Sequence, residues 1–328
     1  MKRMEYRNVG GVEVSQLCLG TMMFGTKVDE RTSFDILDRF VEAGGTFVDT
    51  ANCYQFWEGD GQGHESEELL GRWLRGRGLA SGVGRDRVVV ATKVGARPIT
   101  GPGRGDFPEN REGLSADIIR QQIEVSLRRL GLDHVDLYYS HHEDRSVPLE
   151  ETVGAFGEIV QAGKAKAIGV SNEPAWRVER ARQLAAHSGL PSYTWVQQRH
   201  TYLQPRPGFH DEFMPILGEE LLDYVRSEPE LTLVAYSPLL GGAYSGRSDR
   251  PIPLPYAHPA SAGRLAALEE VATELDASPN QVVLAWMLAG TPSVLPLFSA
   301  SSVAQLEESL GALELKLSEE QLARLDQG

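Results

Sequence analysis

Two kinds of hydrophobic pattern alternate along the chain. Eight short runs are apolar or β-branched at most positions, a pattern typical of strands covered on both faces of a parallel sheet. Between them, apolar residues recur every three or four positions, as they do along the buried face of a helix. The predicted strands are residues 17–19, 46–48, 88–91, 135–139, 165–170, 195–197, 231–235 and 294–297. The predicted helices include residues 32–43, 66–73, 118–130, 151–162, 174–186 and 264–275, the second of them capped by Ser66.

The order of these elements predicts the fold. Strand and helix alternate eight times without a break, which favours one (β/α)8 barrel, a TIM barrel, as a single domain over residues 1–328. Residues 3–14, with the turn sequence Asn8-Val9-Gly10-Gly11, predict a short N-terminal β-hairpin that would plug the bottom of the barrel. Long loops at residues 95–113, 204–218 and 241–259 follow strands three, six and seven, on the face where barrel enzymes carry their active sites.

Charge and cysteine content weigh against several classes of partner. The chain has 32 Lys and Arg residues against 46 Asp and Glu residues, a net charge of −14, whereas nucleic acids and acidic membrane surfaces require clustered Lys and Arg. We expect a cytoplasmic protein, because the N-terminal residues lack the apolar core of a signal peptide and no apolar stretch approaches about 18 residues. Cys18 and Cys53 are too few for a disulfide framework, and the dispersed histidines predict no metal site.

Four side chains with acid–base chemistry lie at or just after the ends of predicted strands. Asp49 ends strand two, Lys93 ends strand three and His141 ends strand four, while Tyr54 lies on the loop after Asp49. Each alone has an ordinary structural explanation, as a cap, a solvated tip or a packing residue. In a barrel, however, the ends of neighbouring strands meet at one pocket, so we expect the four to form one site.

The chemistry of these groups suits proton delivery to an oxygen atom. A phenol has an ordinary pKa of about 10, and a neighbouring ammonium would lower the pKa of Tyr54 by stabilising the phenolate. A buried ammonium must itself be paired, and Asp49 is the partner expected for Lys93. His141 is then available to orient a substrate carbonyl. None of the four supplies a hydride, so redox chemistry here requires a cofactor.

Seven segments, in order along nearly the whole chain, resemble the aldo-keto reductase superfamily. They are LGTMMFG at 19–25, DTAxxY at 49–54, ATK at 91–93, DLYxxH at 136–141, GVSN at 169–172, AYSPL at 235–239 and QLEESL at 305–310. The resemblance implies a catalytic tetrad of Asp49, Tyr54, Lys93 and His141. It also implies an NAD(P)H-dependent oxidoreductase that transfers hydride between nicotinamide and an aldehyde, a ketone or the corresponding alcohol, with sugars among the candidates.

The same resemblance implies a set of cofactor-binding residues. Ser171, Asn172 and Gln198 match the positions that hold the nicotinamide carboxamide, and Tyr236 matches the aromatic residue that stacks on its ring. Residues 237–247 resemble the pyrophosphate loop, with an arginine in place of the usual lysine. The full implied set is Gly20, Thr21, Met22, Asp49, Ser171, Asn172, Gln198, Tyr236, Ser237, Leu239, Gly241, Arg247, Ser301, Gln305 and Glu308.

One departure from the family pattern bears on the choice of cofactor. After strand eight, many relatives have Gly-Ala-Arg or a similar basic pattern that meets the 2′-phosphate of NADP, and this chain has Ser299-Ala300-Ser301. A hydroxyl brings no charge to a phosphate, and charge-assisted hydrogen bonds are the stronger ones. The resemblance therefore implies NADP(H), and this loop keeps NAD(H) as the alternative.

The resemblance leaves the substrate and two other functions open. Phe24, Trp57 and His142 are expected to line a pocket for a small carbonyl or alcohol compound, and aromatic walls suit a ring, although Trp57 would equally well pack its own loop. One alternative is a barrel lyase that forms a Schiff base through Lys93 and needs no nicotinamide. Another is a non-catalytic, cofactor-sensing partner protein, as among the potassium-channel beta subunits.

Overall fold

A short antiparallel hairpin precedes the barrel in the computed structural model, which describes residues 4–57, 61–99 and 109–327. Its strands are β1 (Tyr6–Val9) and β2 (Val12–Ser15). The two-residue turn between them places Gly10 and Gly11 at φ values of 57° and 82°, which a residue with a Cβ adopts only at a cost. Valines of the hairpin pack against side chains inside the barrel, so the predicted plug is confirmed.

Eight parallel strands close into a barrel, each hydrogen-bonded to the next in chain order, with the last beside the first. They are β3 (Cys18–Gly20), β4 (Phe47–Asp49), β5 (Val89–Val94), β6 (Val135–Ser140), β7 (Ala165–Ser171), β8 (Trp195–Arg199), β9 (Thr232–Tyr236) and β10 (Leu295–Phe298). All eight predicted strands are present. The chain thus folds as a (β/α)8 barrel preceded by a hairpin.

Helices cover the outside of the barrel. The described residues contain α1 (Glu30–Glu42), α2 (Glu65–Gly76), α3 (Ala116–Leu130), α4 (Leu149–Gln161), α5 (Ala175–His187), α6 (Glu219–Ser227), α7 (Pro259–Glu274), α8 (Pro279–Ala289), α9 (Val303–Gly311) and α10 (Glu319–Gln327). The predicted helices correspond to α1 to α5 and α7. Across the described ranges, no helix is both long enough and apolar enough to cross a bilayer.

The first turn of α2 corrects one prediction from the sequence. Ser66 is not the capping residue, because the helix begins at Glu65 and the position before it is His64, which makes no side-chain capping bond. The Ser66 hydroxyl is buried instead and lies 2.7 Å from the hydroxyl oxygens of both Thr21 and Thr50. This serine fastens the helix to the ends of β3 and β4, which border the candidate site.

The three long connections lie where the sequence predicts them, after β5, β8 and β9. All three leave the carboxyl ends of their strands, which is the end of the barrel where β4 and β6 also end. In the first connection, residues 100–108 lie outside the described part of the chain, and residues 98 and 111 pair across it in an isolated bridge. The loops therefore surround the end of the barrel where the acid–base residues were expected.

Candidate active site

A fully buried lysine lies at the centre of the site. The Lys93 side chain, on β5, is 0% exposed, and its Nζ donates to the Asp49 carboxylate, to the Thr50 carbonyl oxygen at 2.8 Å and to the Tyr54 hydroxyl at 2.7 Å. The Tyr54 hydroxyl in turn lies 3.2 Å from Asp49 Oδ1. The structure thus brings the predicted acid, base and phenol together, and all three ammonium protons have acceptors.

A residue that the sequence reasoning missed fixes the other oxygen of this carboxylate. Gln197 Nε2, on β8, donates to Asp49 Oδ2 at 3.0 Å across the barrel interior. Side chains alternate along a strand, and Trp195 points into the barrel, so the residue two positions later points inward as well. That alternation could have singled out Gln197 beside Gln198, which the family resemblance selected.

Burial controls the proton on the phenol. We expected Lys93 to lower the pKa of Tyr54, and this is wrong for the structure. Burial and the neighbouring Asp49 carboxylate raise the pKa of Tyr54 well above its ordinary value, because both disfavour a phenolate. The hydroxyl therefore carries its proton at neutral pH, and the Lys93 ammonium is in place to stabilise the charge that forms when that proton leaves.

His141 follows β6 and faces the phenol edge-on, with the two ring centroids 5.9 Å apart and the planes at 78°. Burial, His142 and Lys93 together lower the pKa of His141 well below its ordinary value, so the imidazole is neutral. A neutral imidazole has one N–H donor and one acceptor nitrogen. Cys53, which the sequence reasoning did not select, places its Sγ 3.5 Å from the Nδ1 of this ring.

Three of the predicted cofactor residues form one hydrogen-bonded group beside the histidine. Asn172 Nδ2 donates to the His141 carbonyl oxygen at 3.0 Å and to the Ser171 hydroxyl at 3.1 Å. Asn172 Oδ1 accepts a hydrogen bond of 2.7 Å from the Tyr236 hydroxyl. The structure therefore brings Ser171, Asn172 and Tyr236 together at the ends of β7 and β9.

Gln198 provides a test of whether a carboxamide fits here. Its Nε2 donates to the Pro215 carbonyl oxygen, while its Oε1 is buried and has no hydrogen-bond partner in the described part of the chain. A buried oxygen without a partner is costly, and the NH2 group of a nicotinamide carboxamide is the kind of donor that would satisfy it. The donors and acceptors present therefore fit the nicotinamide end of a dinucleotide.

The predicted pyrophosphate loop lies farther out on the same face. Ser237 and Gly241 are exposed, and φ is positive at both, 56° and 67°. A Cβ placed on Gly241 would meet no atom of the described residues within 4 Å, so the backbone is open to a ligand. Arg247 is exposed and is paired with Asp249 through two hydrogen bonds of 2.9 Å, which it would exchange to bind a phosphate.

The predicted cofactor residues after β10 already have hydrogen-bond partners within the protein. Gln305 Oε1 accepts from the Ser301 backbone N–H at 2.8 Å and from its hydroxyl at 2.9 Å. Glu308 Oε1 accepts from Ser278 Oγ at 2.6 Å and from Asn280 Nδ2 at 3.2 Å, so this carboxylate fastens α9 to α8. Glu308 thus supports a contact between helices, whereas Gln305 holds the backbone of the loop that carries Ser301.

The other predicted cofactor residues are spread around the top of β3 and the loop after β9. Gly20 ends β3, and the Thr21 hydroxyl donates to the Asp49 carbonyl oxygen at 3.0 Å. Met22 is 36% exposed, whereas Leu239 is partly buried and packs against the main hydrophobic core. Thr21 therefore supports the backbone at Asp49, and Met22 presents an apolar side chain partly to solvent.

A cavity opens beside the tetrad, at the end of the barrel that the long loops surround. His142 lines it, together with Asn172, Arg111 and Phe213, the last two supplied by long loops. Phe24 is 1% exposed and belongs to the main hydrophobic core, between the barrel strands and the helices around them. Trp57 packs edge-on against Phe56, with ring centroids 4.9 Å apart. Of the three predicted pocket residues, the structure brings His142 to this cavity and does not bring Phe24 or Trp57.

A family match decides the assignment of this site. The model of the Aldo/keto reductase family matches residues 16–328, which includes all the barrel strands and every residue of the site. The chain belongs to the aldo/keto reductase family. Proteins of this family are nicotinamide-dependent oxidoreductases of small carbonyl compounds, so this aldo/keto reductase is a carbonyl-reducing enzyme.

Several similar proteins match over most of their length. An uncharacterized oxidoreductase, YrpG of Bacillus subtilis, is 34% identical over 98% of this chain and 95% of its own. Norsolorinic acid reductase stcV of Emericella nidulans is 32% identical over 97% of this chain and 79% of its own. Aryl-alcohol dehydrogenase (NADP+) of Phanerodontia chrysosporium is 30% identical over 96% of this chain and 83% of its own.

The geometry also bears on the alternatives left open by the sequence. A Schiff base requires an amine with a free lone pair, whereas the Lys93 ammonium of this aldo/keto reductase donates all three protons and is fully buried. The site therefore does not favour a lyase. Among the described residues, no group of three or more His, Cys, Asp and Glu side chains is arranged to hold a metal ion.

Proposed function

We propose that this enzyme interconverts an aldehyde or ketone and its alcohol with NADP(H), and that Tyr54 is the general acid and base. The observation that carries the proposal is the buried Lys93 ammonium, which hydrogen-bonds the Tyr54 hydroxyl at 2.7 Å and the Asp49 carboxylate. A phenol with an ammonium on one side and a neutral imidazole on the other is suited to protonate a carbonyl oxygen. When bound, the nicotinamide supplies or accepts the hydride.

Each residue of the tetrad has a separate task in this proposal. Tyr54, protonated at neutral pH, donates its proton to the substrate oxygen as that oxygen gains negative charge. Lys93 stabilises the resulting phenolate, and Asp49, held by Gln197, keeps the ammonium in position. His141 donates a hydrogen bond that orients the carbonyl. In alcohol oxidation, the phenolate of Tyr54 takes the proton back.

Our choice of NADP(H) over NAD(H) rests on similarity to a relative more than on the charge of the loop after β10. The aryl-alcohol dehydrogenase of Phanerodontia chrysosporium carries NADP+ in its name, which supports NADP(H) for this chain. Against it, the loop after β10 offers the hydroxyls of Ser299, Ser301 and Ser302 and no basic side chain. We therefore propose NADP(H), bound with a weaker preference over NAD(H) than an arginine in this loop would give.

Two free, buried cysteines are consistent with the proposed cytoplasmic location.

Replacing the phenol tests the role of Tyr54. We expect Tyr54→Phe to lower kcat for benzaldehyde reduction by about 100-fold or more, because it removes the proton donor. The dissociation constant of NADPH, followed by quenching of tryptophan fluorescence, should change by less than a factor of about three.

The matched control is Tyr138→Phe. It removes a buried phenol from β6 whose hydroxyl donates a weak hydrogen bond to the Ile119 carbonyl oxygen, at 3.5 Å, and it should retain activity. Full activity in Tyr54→Phe would contradict the assigned role. Normal NADPH binding without turnover of any aldehyde by the wild-type protein would instead support the cofactor-sensing alternative.

A further inference from the structure

The cavity beside the tetrad contains an arginine that forms no ion pair with the residues that the structure describes. Arg111, on the loop after β5, is half-buried, and its Nη2 donates to the Glu143 carbonyl oxygen at 3.0 Å. Within the described ranges, it has no carboxylate partner within 4.0 Å. Arg145, the other arginine of the cavity, differs, because it is paired with Glu143 at 2.8 Å and 2.9 Å.

The surroundings of Arg111 leave its charge available to a ligand. The carboxylate of Glu143 is already paired, and Glu212, the remaining acidic residue of the cavity, is exposed to water. Asp144 is another carboxylate that interacts with the charge of Arg111, and it accepts its hydrogen bonds from Leu114 and Ser146 instead. His142 is neutral, since burial and Arg111 lower its pKa to about 3. A partly desolvated guanidinium with free N–H groups is the side chain best suited to bind a planar oxyanion through two hydrogen bonds.

A series of ring contacts connects this arginine to the catalytic histidine. The rings of His141 and His142 are stacked with centroids 5.0 Å apart, and His142 stacks on Phe213 at 3.8 Å. The Arg111 guanidinium lies 5.8 Å from the centroid of the Phe213 ring. His142 Nδ1 also donates to the Phe213 carbonyl oxygen at 3.0 Å, which fixes both rings. The wall between the two groups is therefore planar and aromatic.

From this arrangement we infer that the enzyme prefers planar carbonyl substrates that bear a carboxylate away from the reacting carbonyl. The carbonyl would lie at Tyr54 and His141, the ring against His142 and Phe213, and the carboxylate on Arg111. This inference rests on the proposed function and adds the substrate class. Sequence reasoning did not select Arg111 or Phe213, because both lie in long loops without a regular pattern.

The test compares two aldehydes of similar shape, 4-carboxybenzaldehyde and its uncharged methyl ester. For the wild-type enzyme, we expect kcat/KM to be about tenfold higher for the carboxylate, as one charge-assisted hydrogen bond would give. Arg111→Met should remove this preference, mainly by raising KM for the carboxylate, and leave kcat/KM for the ester within about twofold. Arg111→Lys should restore part of the preference, since it restores the charge without the planar fork.

A matched control and a binding measurement keep the inference testable. Arg120→Met removes an exposed arginine on α3 that is paired with Glu158, and it should leave the ratio of the two substrates unchanged. An equal preference for acid and ester in the wild type, or a ratio that Arg111→Met does not alter, would overturn the inference. Loss of turnover with every aldehyde would count against the proposed function. In that case, terephthalate binding, followed by tryptophan fluorescence and expected to be about tenfold weaker in Arg111→Met, still tests the carboxylate site.

Discussion

Cys53 is a residue-scale feature with a consequence for the orientation of the substrate. Its thiol lies 3.5 Å from His141 Nδ1, and burial raises the pKa of the thiol well above its ordinary value, so the sulfur carries a proton. The imidazole is neutral and has a single N–H. If the thiol donates to Nδ1, the ring proton must be on Nε2, where it is available to a carbonyl oxygen. We expect this tautomer.

Substitution of Cys53 tests the tautomer directly. Cys53→Ala should lower kcat about fivefold, the cost of one lost hydrogen bond of about 1 kcal/mol, with NADPH affinity unchanged. Cys53→Ser, which keeps a donor, should retain most of the activity. Nitrogen-15 NMR of the histidine ring should show the proton on Nε2 of His141 in the wild type and a mixture of tautomers in Cys53→Ala. A proton on Nδ1 in the wild type would contradict the account.

At this scale, the sequence predicted which acid–base side chains lie close together, but it did not predict most of the residues that support them. Asp49, Lys93 and His141 were predictable because strand ends in a parallel barrel converge, whatever the loops do. Cys53 and Arg111 lie on irregular segments, where no periodicity relates position in the chain to position in space. The direction of the Tyr54 pKa was also mispredicted, since the degree of burial that dominates it depends on the whole fold.

On the scale of elements, α2 holds the ends of the catalytic strands. Ser66 binds the hydroxyls after β3 and β4, and Glu67 accepts a hydrogen bond of 2.7 Å from Thr92 on β5 and one of 2.9 Å from Arg129 on α3. Gly71 lets this helix lie close to α3, because a Cβ there would be 2.2 Å from the Arg129 carbonyl oxygen. The position of α2 is therefore coupled to the residues beside Lys93.

Adding one methyl group at this contact tests the coupling. We expect Gly71→Ala to lower the free energy of unfolding by about 1–3 kcal/mol, because the helices must separate, and to lower the melting temperature and kcat with it. Gly154→Ala is the control, since that glycine lies inside α4 with nothing within 4 Å of a Cβ and should be neutral or stabilising. Equal melting temperatures for the two variants would show that the helix contact carries no such constraint.

One helix that the sequence did not predict, α8, was hidden by its own burial. Six of the ten α-helices in the described residues were recognisable from their pattern in the sequence, but α8 buries most of its residues, including Val282, Leu284 and Met287. A helix that is apolar on nearly all sides shows no stripe, so its periodicity is hidden. The role of Ser66 was mispredicted for a related reason, since capping and tertiary hydrogen bonding use the same hydroxyl.

For the molecule as a whole, the barrel and the loops contribute differently to function. The barrel supplies the tetrad from β4, β5 and β6 and closes its lower end with the hairpin. The loops after β5 and β8 supply Arg111 and Phe213, which distinguish one carbonyl compound from another. Fold and reaction class are therefore predictable from strand order and strand ends, while substrate choice depends on loop conformations that composition does not determine.

A deuterium-labelled cofactor shows whether hydride passes directly from the nicotinamide to the carbonyl carbon. The protein would be incubated with benzaldehyde and with either NADPH or NADH deuterated at the hydride position, and the benzyl alcohol analysed by mass spectrometry. We expect one deuterium on the carbinol carbon of each product molecule and faster turnover with NADPH than with NADH. Alcohol without deuterium, or no consumption of either cofactor with any aldehyde, would contradict it.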